Sequence, residues 1–169
     1  MLPKLIHWVW TGPNPIPTML RGAMKSWKDK HPDWDFTIWY PPMLEALGMQ
    51  NRELYDRAKE LAPNDWLRWR SDIARLEILH RHGGIYTDTD CEAIQSLSGL
   101  PDLGDEDMFL PQSPNDLSGV TNAVMGSPAG HPFLKHLLDN IADNALSFRS
   151  GARLVETVGG KYITREIRS

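Results

Sequence analysis

Residues 71–90 read SDIARLEILHRHGGIYTDTD, and this segment sets the architecture expected for the chain. Over residues 65–82 apolar side chains recur at three- and four-residue steps, which predicts a helix with one face in a core. These side chains are Trp66, Trp69, Ile73, Leu76 and Leu79. Gly83 and Gly84 end the helix, because glycine takes a left-handed cap without steric cost. Residues 85–87 then have the β-branched and aromatic character of a strand, and an acidic loop follows.

Four polar side chains of this segment are expected to line one crevice. Asp88 and Asp90 follow the strand and point to the same side if the chain stays extended. Asp72 and Arg75 lie about 60° apart on the border of the apolar helix face. The glycine turn brings the strand back beside that helix. Alternatively, the two acids are simply solvated, and Asp72 and Arg75 form a surface ion pair that contributes little to stability.

Asp88 and Asp90 match a Mn²⁺ or Mg²⁺ site better than they match other types of acidic motif. In an EF-hand loop that begins at Asp88, Ala93 would stand where glycine is required and Gly99 where glutamate is required. Two carboxylates can instead hold a divalent ion together with waters and a substrate diphosphate. Asp88 and Asp90 are therefore the predicted metal ligands.

The other sequence patterns follow an order typical of an α/β fold. Residues 5–10 and 35–40 are expected as strands, with a helix over residues 18–30 between them, which predicts parallel neighbours and a right-handed crossover. Weaker patterns predict helices over 42–48, 51–61 and 131–148 and near 154–155, and strands near 93–94, 108–110 and 120–125. The expected fold class is α/β, with a mixed, mostly parallel sheet flanked by helices, in one domain over residues 1–169.

Composition limits the kind of protein and its partners. The 169 residues are 41% hydrophobic and 24% charged, as in ordinary soluble domains. A net charge of −4 argues against nucleic acid as a partner. Cys91 is the single cysteine, which fits a reducing compartment. The chain has no apolar run long enough for a transmembrane segment, and the expected location is cytoplasmic, with a peripheral role beside a membrane as the alternative.

Aromatic residues and histidines give weaker signals. Most of the seven tryptophans are expected in the core. Trp10 ends the first strand, where ligands usually lie in an open α/β sheet; it could stack on a nucleotide base or pack under the next helix. His7 is expected as a hydrogen-bonded structural histidine. His80 and His82 point apart on a helix, so a solvated last turn is expected there.

The segment 71–90 resembles the signature of the sugar glycosyltransferases that contain a DXD motif, including capsular-polysaccharide and initiating mannosyltransferases. It is also similar, more distantly, to the catalytic domain of the large clostridial glucosylating toxins. PKLIHWVWTG (residues 3–12) resembles the family's first strand, and VTNAVMGSPAGHPFL (residues 120–134) resembles a later asparagine-containing strand and helix start. The resemblance implies a GT-A-like, Rossmann-like fold and a role in polysaccharide biosynthesis.

The resemblance also implies a reaction and four catalytic residues. A sugar would move from a UDP- or GDP-sugar donor to a sugar or glycan acceptor, with retention of configuration and dependence on Mn²⁺ or Mg²⁺. Asp90 would bind the metal directly, and Asp88 would reach both the ribose and the metal. Asp72 and Arg75 match residues that hold hydroxyls of the donor sugar.

Further donor contacts follow from the same resemblance. Val9 and Trp10 match residues of the first strand that contact the donor nucleotide. Tyr86 matches a residue near the ribose and phosphates, and Asn122 matches a position near the donor or the acceptor.

Two other functions remain open at this point. Gly160 stands where the family usually has proline, and the sequence ends at Ser169, before further residues that cover the site in relatives. A C-terminally shortened domain is therefore an alternative, and with it a degenerate module that binds sugar nucleotides without turnover. A third possibility is a sugar-nucleotide hydrolase that uses water as acceptor.

Overall fold

The computed structural model describes residues 2–99, 107–114, 118–147 and 154–169. Within these residues four strands form one sheet in the order β2-β1-β3-β4. The strands are β1 (Leu5–Val9), β2 (Asp35–Trp39), β3 (Gly84–Thr87) and β4 (Val124–Ser127). β1 pairs in parallel with β2 and β3, whereas β4 pairs antiparallel with β3. The predicted mixed, mostly parallel sheet is confirmed.

Helices connect and flank these strands. They are α1 (Thr18–Lys30), α2 (Pro41–Ala46), α3 (Arg52–Asp56), α4 (Ala58–Leu61), α5 (Trp66–His82), α6 (Pro132–Ser147), α7 (Leu154–Thr157) and α8 (Gly160–Ile167). A short 3-10 turn spans Leu97–Gly99. Among the described residues, no helix combines the length and the apolar character needed to cross a membrane.

Both faces of the sheet are covered, because side chains alternate along each strand. On one face Ile6, Trp8 and Ile85 pack against residues of α1. On the other face Val9 and Tyr86 belong to the core that α5 and α6 complete. The carboxyl ends of β1 and β3 therefore meet at one edge between two packed layers.

The glycine turn places β3 tightly against β1. Gly83 and Gly84 have φ values of 64° and 91°, in the region that only glycine adopts readily. A Cβ on Gly84 would lie 2.6 Å from the carbonyl oxygen of Leu5. His7 is buried, and its Nε2 donates to the carbonyl of Gly83 at 2.9 Å. His7 is thus the hydrogen-bonded structural histidine that the sequence predicts.

Several weaker predictions are wrong in position or kind. No strand forms at residues 93–94; the amide of Ala93 instead donates to Ser26 Oγ of α1 at 2.8 Å. The strand expected over 120–125 begins at Val124. Phe109 forms only an isolated bridge with Gly126.

The last turn of α5 and the C-terminal tail also differ from expectation. The His82 ring is half-buried, with its centroid 5.3 Å from that of Trp39, so this turn is not fully solvated. The tail forms α8, which the sequence pattern did not predict. Tyr162 on α8 is buried and donates its hydroxyl to the carbonyl of Leu137 at 2.7 Å.

Candidate active site

A cleft of about 460 Å³ opens at the edge where β1 and β3 end beside α5. This volume lies within the usual range for small-molecule sites. It is lined by Val9, Trp10, Thr11, Gly12, Leu20, Leu67, Arg68, Ser71, Asp72, Arg75, Tyr86, Asp88, Thr89, Asp90 and Asn122. The structure thus brings together every residue that the sequence analysis selected for the site.

The acidic pair lines the cleft directly after β3. The amide of Asp88 donates to the carbonyl of Ala123 at 2.7 Å, which extends the β3–β4 pairing by one bond. The chain then turns, and the amide of Cys91 donates to the carbonyl of Asp88 at 3.2 Å. The extended geometry expected through Asp90 is therefore absent, yet Asp88 and Asp90 both line the cleft.

Arg75 is the centre of a buried polar network. Its Nη2 lies 3.0 Å from Asp72 Oδ1 and 3.1 Å from Asp88 Oδ1. Its Nη1 donates to the carbonyl of Asn122, and its Nε donates to the carbonyl of Ser71. Burial alone would lower the pKa of Arg75, but the adjacent Asp88, Tyr86 and Asp72 raise it above the ordinary value. The guanidinium consequently stays charged and fixes two carboxylates at once.

Tyr86 joins this network from β3. Its ring packs against the Arg75 guanidinium, with 4.4 Å between the guanidinium carbon and the ring centroid. Its hydroxyl donates to Asp88 Oδ1 at 2.6 Å. Burial raises the pKa of Tyr86, so the hydroxyl keeps its proton and remains a donor. Asp88 is therefore held through one oxygen, Oδ1, by both Tyr86 and Arg75.

Asn122 holds Asp72, the second carboxylate that contacts Arg75. Its side-chain amide donates to Asp72 Oδ1 at 2.7 Å, while its backbone carbonyl accepts from Arg75. Burial raises the pKa of Asp72 to about 6 against the opposing effect of Arg75, and the nearby charge of Asp88 raises it further. The family resemblance implies a position near the donor or acceptor for Asn122; the structure shows that its side chain orients Asp72.

The opposite wall comes from the loop after β1. The Trp10 indole donates to the carbonyl of Asn14 at 2.6 Å, which fixes the ring at the edge of the cleft. Thr11 Oγ1 donates to the carbonyl of Leu67 at 2.9 Å and ties this loop to the first turn of α5. A ring fixed in this way can stack on a flat ligand with little loss of side-chain entropy.

Sequence reasoning missed two polar residues of the cleft, Arg68 and Ser71. A signal for them was available: residues 68, 71, 72 and 75 recur at the spacing that places side chains on one face of a helix. The sequence analysis selected only Asp72 and Arg75, which lie on the border of the apolar face and match family positions.

The carboxylates fit a metal ion that also takes ligands from a substrate. No group of three or more histidine, cysteine, aspartate or glutamate side chains that could hold a metal occurs among the described residues. In the described part of the chain, Asp88 Oδ2 and both carboxylate oxygens of Asp90 accept no hydrogen bond, and Asp90 forms no ion pair. Mg²⁺ at phosphate sites typically uses one or two carboxylates and completes its shell with water and phosphate oxygens.

Comparison with known proteins identifies the family. The sequence model described as a glycosyltransferase sugar-binding region containing a DXD motif matches residues 17–117. Inositol phosphoceramide mannosyltransferase 3 of Schizosaccharomyces pombe is 32% identical over 147 residues, or 87% of this chain and 39% of that protein. Human α-1,4-N-acetylglucosaminyltransferase is 31% identical over 114 residues, or 68% of this chain and 29% of that protein. The chain thus spans well under half the length of these relatives.

Solved structures support the same fold. The PaToxG glycosyltransferase matches with a TM-score of 0.76 and 18% identity, covering 98% of this chain and 68% of that one. The UDP-bound glycosyltransferase domain of the YGT toxin matches with a TM-score of 0.60 and 14% identity, covering 86% and 62%. These matches confirm the GT-A-like fold. Because the family model covers more than half of the sequence, the chain belongs to the glycosyltransferases whose sugar-binding region contains the DXD motif.

Proposed function

We propose that the chain binds a nucleotide sugar in this cleft through Mn²⁺ or Mg²⁺ and transfers the sugar to a sugar or glycan acceptor with retention of configuration. The observation that carries the proposal is the number of open carboxylate oxygens on Asp88 and Asp90. Asp88 Oδ2 and both carboxylate oxygens of Asp90 accept no hydrogen bond from the described residues, and both side chains line the cleft. Carboxylate oxygens left open in this way suit a cation that arrives with a diphosphate.

The rest of the network supports donor binding by fixing the groups around that pair. Tyr86 and Arg75 hold Asp88 at Oδ1, which leaves Oδ2 for a ligand. Arg75 and Asn122 likewise both contact Oδ1 of Asp72, so Asp72 Oδ2 is available to accept from a sugar hydroxyl. Preorganised groups of this kind need no rearrangement when charge develops during the reaction.

Breaking the bond between sugar and diphosphate leaves negative charge on the diphosphate. A divalent ion held by Asp88 and Asp90 would supply Lewis-acid stabilisation of that leaving group. Arg75 contributes by orienting both Asp72 and Asp88, which line the cleft. Val9 and Trp10 form the wall against which the nucleotide would pack, with the fixed indole as a stacking surface for the base.

The experiment is a calorimetric titration of UDP- and GDP-sugars, including mannose and N-acetylglucosamine donors, with and without Mn²⁺. The relatives are named for mannosyl and N-acetylglucosaminyl transfer, and one structural neighbour is described as UDP-bound, so both nucleotides belong in the screen. We expect affinity that depends on Mn²⁺. Absence of binding by the native protein with any donor contradicts the proposal.

The Asp90→Asn variant tests the metal ligand. We expect its Mn²⁺-dependent affinity to fall by about tenfold or more, which corresponds to about 1.4 kcal/mol, because a charged ligand is lost. Asp56→Asn is the matched control, since Asp56 is exposed on α3 and pairs with Arg52, away from the cleft. If Asp90→Asn remains folded and binds as tightly as the native protein in Mn²⁺, the assignment of Asp90 is wrong.

Turnover separates the proposed activity from its two rivals. Transfer of labelled sugar to an added glycan supports the transferase, and release of free sugar without transfer supports a hydrolase. Metal-dependent binding without either product supports a module that holds the donor only. The acceptor screen follows the donor screen, because the bound donor is required for transfer.

A further inference from the structure

We infer that the cleft contains two cations with different roles: Arg68 binds the phosphates of the donor, and Arg75 mainly positions the carboxylates. This inference rests on the proposed function, because it assumes that a nucleoside diphosphate occupies the cleft.

Arg75 has little capacity left for a ligand. Its Nε and Nη1 donate to the backbone carbonyls of Ser71 and Asn122, and its Nη2 lies 3.0 Å from Asp72 Oδ1 and 3.1 Å from Asp88 Oδ1. The side chain is buried, and the residue is only 4% exposed. Its single charge is shared between two carboxylates at 3.0 and 3.1 Å. Each guanidinium nitrogen thus faces a protein oxygen, and the charge is already balanced within the protein.

Arg68 has the opposite properties. Its side chain lines the same cleft and is 80% exposed. Its ion pair with Asp65 has an N–O distance of 3.9 Å, and the Asp65 side chain is itself 51% exposed. Such a pair contributes little free energy, so the guanidinium of Arg68 can exchange this partner for another anion at little cost.

The position of Arg68 suits a ligand that also reaches the acidic pair. It precedes Asp72 by four residues and Arg75 by seven, so the three side chains lie along one face of α5. The hydrogen bond from Thr11 Oγ1 to the carbonyl of Leu67 fixes the backbone next to it across the cleft. Arg68 is thus an exposed side chain on a fixed backbone, one helical turn before Asp72.

The charge of the cleft explains why a second cation is useful. Its described lining has three carboxylates, Asp72, Asp88 and Asp90, against two cations, Arg68 and Arg75. A nucleoside diphosphate brings further negative charge beside these carboxylates. A planar guanidinium matches the oxygens of a phosphate through paired hydrogen bonds, and Arg68 is the cation of this lining whose charge is not shared between buried carboxylates.

The test compares nucleoside diphosphates with nucleosides. UDP and GDP, and then uridine and guanosine, are titrated in Mn²⁺ against native protein, Arg68→Gln and Arg68→Lys over a series of salt concentrations. We expect Arg68→Gln to weaken binding of the diphosphates by about tenfold, the loss of one charge-assisted hydrogen bond, and to make that binding less sensitive to salt. Binding of the nucleosides should not change, and Arg68→Lys should recover part of the affinity.

Arg57→Gln is the matched control, because Arg57 pairs with Glu53 and Glu60 and does not line the cleft. Equal weakening of nucleoside and diphosphate binding by Arg68→Gln would overturn the inference, since Arg68 would then act on the base or ribose. Unchanged diphosphate binding in Arg68→Gln would also overturn it. Failure of the native protein to bind any nucleotide would refute the proposed function, and this inference with it.

Discussion

Acidification is expected to destabilise the fold through His7, whose ring joins β1 to the glycine turn. His7 Nε2 contacts the carbonyl of Gly83, which can only accept, so Nε2 carries the proton. Trp39 Nε1 then donates to His7 Nδ1 at 3.2 Å. Protonation of Nδ1 would bring two N–H groups together at this contact. The folded structure therefore holds His7 in its neutral form.

The magnitude follows from the pKa of this group. Burial lowers the pKa of His7 from 6.5 to about 4; the hydrogen bond to Gly83 opposes this effect, and the nearby His82 ring adds to it. Because the folded pKa is depressed, the stabilisation is fully present above pH 6.5 and is lost as the pH falls toward 4. The loss is about 3 kcal/mol, at about 1.36 kcal/mol per pH unit. That is a large share of the stability of a typical domain.

Urea unfolding followed by tryptophan fluorescence at pH steps from 8 to 4 measures this effect. We compare the native protein with His7→Gln, whose amide can donate to Gly83 but does not titrate. The stability difference between the two should move by about 3 kcal/mol in favour of the variant as the pH falls. His80→Gln is the control, since the His80 ring has no hydrogen-bond partner among the described residues. Parallel curves for native protein and His7→Gln would refute the reasoning.

Two further predictions concern the cleft. Trp10→Ala should weaken binding of UDP or GDP by about tenfold or more, because base–aromatic stacking contributes roughly 1–3 kcal/mol. Calorimetry should show a smaller loss of affinity in Trp10→Phe. Unchanged affinity in both variants would exclude stacking on Trp10. Asp72→Asn should gain stability relative to the native protein as the pH rises from 4 to 7. The folded pKa of Asp72 is raised to about 6 by burial first, so the native contribution is present at low pH and is lost as the pH rises through that value. The relative change is about 3 kcal/mol at most, and urea unfolding of both proteins at pH 4 and 7 measures it; equal differences at the two values would contradict it.

The helices and strands that the sequence predicted correctly are marked by patterns within their own short segments. Helix α5 has a periodic apolar face and ends at two glycines. Only glycine fits at position 84, because a Cβ there would lie 2.6 Å from the carbonyl oxygen of Leu5. β1, α1 and β2 are marked by apolar runs and prolines in the same way. The strand expected at residues 93–94 failed because a side chain, Ser26 Oγ, satisfies the amide of Ala93 in place of a neighbouring strand. A single sequence does not show such a distant partner.

The clustering of the candidate site residues was predictable from one short segment. Asp72, Arg75, Asp88 and Asp90 all fall within the segment 71–90, so helix and strand geometry alone places them near one another. Arg68 could have been found by extending the same helix face. The hydrogen bond from Asn122 to Asp72 joins residues 50 apart in sequence, and its geometry depends on how residues 118–123 pack. The prediction of a single domain over residues 1–169 stays a prediction.

The packing of those residues connects the C-terminal helix to the chemistry of the cleft. On α8, Thr164 Oγ1 accepts from the amide of Val120 at 3.0 Å, and a Cβ on Gly160 would lie 2.8 Å from the carbonyl oxygen of Val120. Asn122, two residues further on, then orients Asp72. A glycine at position 160 thus has a steric reason that family comparison alone does not supply: α8 must approach this segment closely. The segment that showed no clear pattern in the sequence therefore supports a carboxylate of the candidate site, although no residue of α8 lines the cleft.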